Sequence, residues 1–336
     1  MPQTYYTILN ISGKQLVAMR DPQQIDSKEM AKWLDIRKNN GNPTTLLLGS
    51  RAGALFRSDH FYTSMQSMDH PIFNQLSMLK KFSQCYNLLK KLPFSETDIY
   101  SIFQTSLKDM SVTQADACLA SLIMRGYFAE IITTNIDDIL EQALTQVDIK
   151  ETRDFEVLIP GRGKLVPEQK NFQYRITKAY GDFSAREYYV ITGHSALNQE
   201  KFEELKRFLQ NILAKDILII GIDPYWDEYI LRMFPQANDA TIWFVNEEDL
   251  IEDRQVAPIF EKRKAGYITG HTGAYDRFMT ILHNDLCGTF VPMHAEFAKD
   301  IISRLEDLSS SQQNILEEIK KLQEELDKLS PRRRKR

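Results

Sequence analysis

The sequence predicts an α/β protein: a doubly wound, mostly parallel Rossmann-like sheet with a helical insertion and a C-terminal coiled-coil helix. Three observations predict it. Short apolar runs of strand length, at Thr44–Leu48, Phe128–Ile132, Asp216–Ile220 and Thr241–Val245, alternate with amphipathic helical stretches, the pattern of buried parallel strands joined by crossover helices. Residues 59–125 keep a helical period with no strand between. Apolar residues then recur at 3-4 spacing across 305–329, close to the C-terminus.

In chain order, Thr4–Ile11 and Gln15–Arg20 read as strands joined at Ser12-Gly13-Lys14, a hairpin. Asp26 stands three before Glu29, a capping-box-like start, and Met30, Trp33, Leu34 and Ile36 give the following helix an apolar face that Gly41 ends. Asn42-Pro43 turns the chain into the first sheet strand. In 59–125, Ile72, Leu76, Leu79, Phe82, Leu88, Ile99, Ile102, Phe103 and Leu107 keep helical spacing, interrupted at Pro93. Pro160, Gly161, Gly163 and Pro167 mark 151–172 as a loop or hairpin excursion over the site. Further strands fall near 174–180, 187–192, 216–221, 241–245 and 266–269, with helices near 198–214, 225–234 and 273–286. The expected layout is an N-terminal extension 1–43, a main domain 44–290 and a C-terminal segment 291–336.

In that last segment Leu305, Leu308, Gln312, Ile315, Ile319, Leu322, Leu326 and Leu329 form a seam. It favours a homo-oligomer or a docked partner protein, with a lone helix packed on its own domain as the other reading. The g-like Glu318 and Glu325 face e-like Gln323 and Leu316, so charge pairing selects no partner or direction. Glu317 with Lys321 and Glu324 with Lys328 support the helix at (i, i+4).

Composition narrows the function classes. With 43% apolar residues among 336, the chain has material for one large or two ordinary cores, and no apolar run approaches the ~20 residues of a membrane helix. No basic-then-apolar leader opens the sequence. Cys85, Cys118 and Cys287 are isolated, which suits a cytoplasmic protein and offers no disulfide frame or zinc knuckle. No histidine shows metal-ligand spacing, so no metal is expected. The net charge is −4 although Arg332–Arg336 are all basic, so the body is acidic and nucleic acid is expected, if anywhere, at that tail.

The chemistry-bearing residues cluster at strand ends, where open α/β sheets hold ligands. Asn135-Ile136-Asp137 lies between an apolar run and an amphipathic helix, so its amide and carboxylate either grip a small polar molecule or cap the helix. Gly49-Ser50-Arg51-Ala52-Gly53 follows the first strand, where backbone N–H groups and a helix start suit a pyrophosphate. An ordinary glycine turn is the alternative.

The Asn135-Ile136-Asp137 run resembles the signature of the sirtuin family, and other landmarks follow in that family's order. Lys178-Ala179-Tyr180-Gly181-Asp182 resembles its His-Gly strand end, Tyr188–Thr192 the strand after it, Asp216–Gly221 with Asp227 a later strand and glycine turn, and Thr241–Asn246 the strand that approaches adenosine. The resemblance spans roughly 44–290. It implies NAD as cofactor, Asp137 at the nicotinamide carboxamide, Asn135 at the ribose or attacking water, and Gly221 and Asn246 at adenosine. It also places Gly49, Ser50 and Arg51 near the pyrophosphate, and Phe56-Arg57 resembles the Phe-Arg that closes over nicotinamide, about five residues early.

Two departures matter. Arg51 stands where the family has its second glycine, so backbone approach is obstructed although a guanidinium can pair with phosphate. Tyr180 stands where the family has its histidine base, and tyrosine, with an ordinary pKa near 10, is protonated at neutral pH. His194 is the candidate substitute. The resemblance implies an NAD-consuming effector (an NADase) of prokaryotic antiphage defence or, given the departures, a degenerate sirtuin-like scaffold or regulatory partner that binds nucleotide. Protein deacylation is least supported, because the family's four-cysteine zinc module is missing.

Overall fold

In the computed structural model the described residues are 22–66, 73–160, 162, 172–189, 191, 199–235, 239–261, 263–290, 312, 315 and 317–325. The expected hairpin of residues 4–20, His194 and Arg332–Arg336 lie outside them. So do Leu305, Leu308, Leu326 and Leu329. The chain divides into two units, Met1–Thr289 and Phe290–Arg336.

Apolar runs become strands where both faces can be buried. Thr45–Leu48 (β2) and Ile217–Ile220 (β8) are buried throughout, and Leu46 and Leu47 point to opposite faces, each into its own core. With Gln23–Gln24 (β1), Glu130–Thr133 (β3), Phe155–Leu158 (β4), Tyr174–Lys178 (β5), Thr241–Val245 (β9) and Lys264–Ile268 (β10) they form one sheet. Its order is β1-β10-β9-β8-β2-β3-β5-β4, every neighbouring pair parallel. From β2 the chain first winds outward through β3 and later returns to β8 on the other side, which sets a topological switch point between β2 and β8.

One face is covered by Ser27–Asn39 (α1), Gln114–Met124 (α6), Ile139–Gln146 (α7) and Tyr275–Cys287 (α10) around Leu46, Leu48, Ile131, Leu218 and Ile220. Asp26 starts α1 as expected, accepting from the Glu29 N–H at 2.8 Å. The other face packs under Asp59–Gln66, Met78–Lys91, Glu96–Leu107 and Gln199–Leu213 around Leu47, Ile132, Ile219, Phe244 and Trp226. The helical stretch 59–125 is therefore shared between both faces, since α6 crosses to the α10 side. The described part of 1–43 is likewise joined to the main sheet, through β1 on β10.

Three expectations need correction. The stretch 151–172 holds a strand, β4, which pairs with β5 at the edge of the sheet; its Pro and Gly neighbours disguise it. Among the described residues, the strand expected at 187–192 is Glu187–Tyr188 (β7), and it pairs antiparallel with Gly181–Asp182 (β6) outside the main sheet. The helix expected at 225–234 is short, Glu228–Leu231, and the residues before it form a turn in which Asp223 accepts from the Tyr225 and Trp226 N–H groups. In the tail, 317–325 are helical and all exposed; Ile315, Ile319 and Leu322 show 56%, 46% and 59% of their surface.

Candidate functional site

The carboxyl ends of β2, β3, β5, β8 and β9 meet at the switch point, and most of the polar residues singled out in the sequence sit there. They are brought together mainly by gripping one another. The Asn135 amide donates to Gly49 O at 3.2 Å, and its Oδ1 lies so close to Gly53 that a Cβ there would come within 2.1 Å of it. Gly49 is similarly fixed, since a Cβ would meet Gly221 O at 2.5 Å. Asp137 accepts from the Ala54 N–H at 2.9 Å and the Ile139 N–H at 3.3 Å, so it ties the start of α7 to the segment after the β2 turn. Burial pushes its pKa up while Lys178 pulls it back.

The turn after β2 has no spare backbone donors. Gly49 N–H goes to Ile220 O, Ser50 N–H to Asp227, Arg51 N–H to Gly221 O, Ala52 N–H to Gly49 O, Gly53 N–H to Ser50 O and Ala54 N–H to Asp137. Asp227 is wholly buried and also accepts from Ser50 Oγ at 2.8 Å, Thr134 Oγ1 at 2.6 Å and Asp223 N at 2.7 Å. Burial raises its pKa to about 6 against the pull of those donors.

Arg51 is 4% exposed. Its Nε and Nη2 donate to Asp223 at 3.2 and 2.9 Å, and Nη2 also reaches Glu248 at 2.8 Å. Burial works against the guanidinium's charge, and the two carboxylates, Asp223 foremost, outweigh it and hold its pKa up. Arg57 donates to Asp116 at 2.9 Å and Thr113 at 3.1 Å. Phe56 stacks edge-on against Phe82.

Tyr180 is not at the cavity surface. It is fully buried in the core, its hydroxyl accepts from the Ile230 N–H at 3.1 Å, and burial drives its pKa well above 10. A hydroxyl in that position cannot reach a solvent-borne water. Among the described residues no histidine lines either cavity at this edge. Lys178, two residues earlier, is also fully buried: its amine donates to Asp182 at 2.5 Å, Asp137 O at 2.6 Å and Glu141 at 2.9 Å, tying β5, α7 and β6 together. Burial alone would lower its pKa, but the surrounding acids raise it.

Two cavities flank the Ala54–Arg57 segment. The smaller, about 110 Å³, is bounded by Arg51, Phe56, Arg57, Gly221, Asn246 and Glu247. Four polar atoms of its wall residues are buried without a partner: Arg51 Nη1, Arg57 Nε and Nη2, and Asn246 Oδ1. The larger, about 660 Å³, lies between Gln104, Lys108, Asp137, Gln142 and Phe183.

Sequence reasoning missed Asp223, Glu248 and Asp116, the partners of the two arginines. Asp223 and Glu248 each stand two residues past a strand-end residue already singled out, Gly221 and Asn246. An arginine in a tight glycine turn was the signal that such acids were needed.

A parallel, doubly wound sheet with a polar cluster at its switch point defines the class: an NAD-binding-type, Rossmann-like α/β fold. Residues 129–266 match the family model described as SIR2-like domain, so the chain carries a sirtuin-like domain. A solved structure described as "Structural Basis for the Mechanism and Regulation of Sir2 Enzymes" aligns at 12% identity over 77% of this chain and 96% of that one, with a TM-score of 0.37, a likeness too low to carry weight beside the family match. No match was found among curated proteins.

NAD, which such a domain implies, can be tested against the wall of the site. The unpaired guanidinium donors and the Asn246 acceptor fit a nucleotide's polar groups. The 110 Å³ volume does not fit an adenosine, since ligand pockets run to about 300–1,000 Å³, whereas the 660 Å³ cavity is within that range.

Proposed function

We propose that this protein binds an adenine dinucleotide, NAD by the sirtuin resemblance, and acts as a nucleotide-responsive scaffold. The observation that carries the reading is the group of partnerless buried polar atoms, Arg51 Nη1, Arg57 Nε and Nη2 and Asn246 Oδ1, on residues lining one cavity at the ends of β8 and β9. Buried polar atoms without partners are costly, so a ligand that completes them is favoured. In this reading Gly221 and Asn246 receive the adenosine, Arg51 and Arg57 with the turn around Gly49 and Ser50 face the pyrophosphate, and Asp137 and Phe56 border the nicotinamide end. The Ala54–Arg57 segment must shift to admit the dinucleotide.

The burial of Tyr180 argues for binding over turnover. NAD supplies a cleavable nicotinamide–ribose bond when bound, but among the described residues no histidine lines the cavities. A second reading, the NADase effector of antiphage defence, is favoured by one observation: the 660 Å³ cavity beside Asp137 is large enough for a nicotinamide riboside. Asn135 would then orient a water, with His194 as the base to test. Calorimetry with NAD, run beside an assay for released nicotinamide, decides between them. Binding without release supports the scaffold, release supports the NADase, and no binding at millimolar NAD rejects both.

The tail supplies the partner in this proposal. Its seam favours self-association or a partner protein, and light scattering on the chain cut after Asp300 should show a smaller assembly than the full chain. An unchanged subunit number with no partner lost in a pull-down would make the seam intramolecular. No described helix is long and apolar enough to cross a membrane.

A further inference from the structure

We infer that Arg51 is the site's phosphate-binding side chain, held in reserve by Asp223 and Glu248, and that a diphosphate-bearing nucleotide engages it by displacing Glu248. The inference rests on the nucleotide reading above and assigns its phosphate contact.

The first ground is the donor inventory. A pyrophosphate at a strand-to-helix turn is ordinarily held by backbone N–H groups. From Gly49 to Ala54 each of those N–H groups is already given to the protein's own oxygens, Asp227 and Asp137 among them. An anion arriving at this corner therefore finds its donors on side chains. Arg51 Nη1 and Arg57 Nε and Nη2 are buried and unpaired, and both residues line the small cavity.

The second ground is charge. One guanidinium faces two carboxylates within 3 Å, Asp223 and Glu248, so a doubly charged phosphate group is repelled until one of them withdraws. The two acids are not equally free to leave. Asp223 is wholly buried and also accepts from Ser83 Oγ at 2.6 Å, Tyr225 N–H at 3.0 Å and Trp226 N–H at 3.1 Å. Glu248 is 35% exposed, lies in the turn after β9, and its carboxylate has Arg51 as its hydrogen-bond partner. Glu248 is thus the group that yields. Asp223 stays and keeps the guanidinium aligned, and the phosphate oxygen takes the place of the departing carboxylate in a charge-assisted bond.

Calorimetric titration of the full chain with adenosine and with ADP, which differ only in the diphosphate, tests this. The wild type should bind ADP more tightly than adenosine. Glu248→Gln should strengthen ADP binding by about 5- to 10-fold, by raising the fraction of chains whose Arg51 is free, and leave adenosine unchanged. Arg51→Gln should erase the preference for ADP. A Glu248→Gln protein that shifts both ligands alike, or neither, overturns the inference; Glu248 is on a half-exposed turn, so this variant does not depend on the core. Adenosine binding with no advantage for ADP also overturns it and leaves the nucleotide reading standing. If neither ligand binds any of the three proteins, both fail.

Discussion

The two cavities occupy equivalent ground, the carboxyl ends of neighbouring strands in one sheet, yet they are built on opposite plans. On the β8/β9 side the protein's own charges engage one another: Arg51 lies between Asp223 and Glu248, Asp227 gathers the turn after β2, and about 110 Å³ remains. On the β3/β5 side a single buried cation, Lys178, is fixed behind the wall, and about 660 Å³ stays open. The difference teaches that position at a switch point makes a site available, while the charge balance of the side chains decides whether it stands open or filled.

The comparison can be broken most severely at Lys178. Lys178→Met strands Asp182 and Glu141 without their cation and should cost about 3–5 kcal/mol in urea unfolding, because breaking a buried pair from one side leaves an uncompensated charge. A loss near zero would mean that the open side is not braced there. Next comes Asp137→Ala, which should weaken NAD binding by about 1–3 kcal/mol if Asp137 borders the ligand. Unchanged affinity with lowered stability would leave Asp137 only as the structural tie between α7 and Ala54.

A pH experiment sharpens the filled side. The folded pKa of Asp227, about 6, lies above its ordinary value of 3.8, so between the two the folded chain holds a proton that the unfolded chain has released. Its contribution to stability is present below 3.8 and is lost as the pH rises through about 6. Asp227→Asn should flatten that part of the stability profile; an identical slope in variant and wild type refutes the assignment. Smaller still is Thr105→Trp on the rim of the open cavity, expected to change stability by under about 0.5 kcal/mol while obstructing NAD. Tyr180→His, last, should create no nicotinamide release, since the ring it replaces is in the core; release would show that this position reaches the ligand.

Much of the fold was legible because burial on two faces leaves an unmistakable run: Thr45–Leu48, Ile217–Ile220 and Thr241–Val245 stand where their apolar residues put them. Strand β4 was not, because a four-residue edge strand beside Pro160 and Gly161 lacks that run. The expected strand at 187–192 misled because aromatic and β-branched residues suit a strand of any length. At the site, the sequence located the corner but not its wiring. Arg51 and Asp223 are 172 positions apart, Ser50 and Asp227 177 apart, and no local pattern encodes such pairs. Tyr180 was visible as a departure from a histidine, but only packing against Tyr229 and the bond from Ile230 place it inside.

Lys178 has a consequence for reactivity. An amine that stays protonated, has no exposed surface and is enclosed by Asp182, Glu141 and the Asp137 carbonyl is invisible to acylating reagents, which attack only the neutral, accessible form. Most other lysines among the described residues are exposed or half-exposed and open to the reagent. Slow acylation at Lys178 therefore times the separation of β5 from α7, one modified residue marking each opening of that edge.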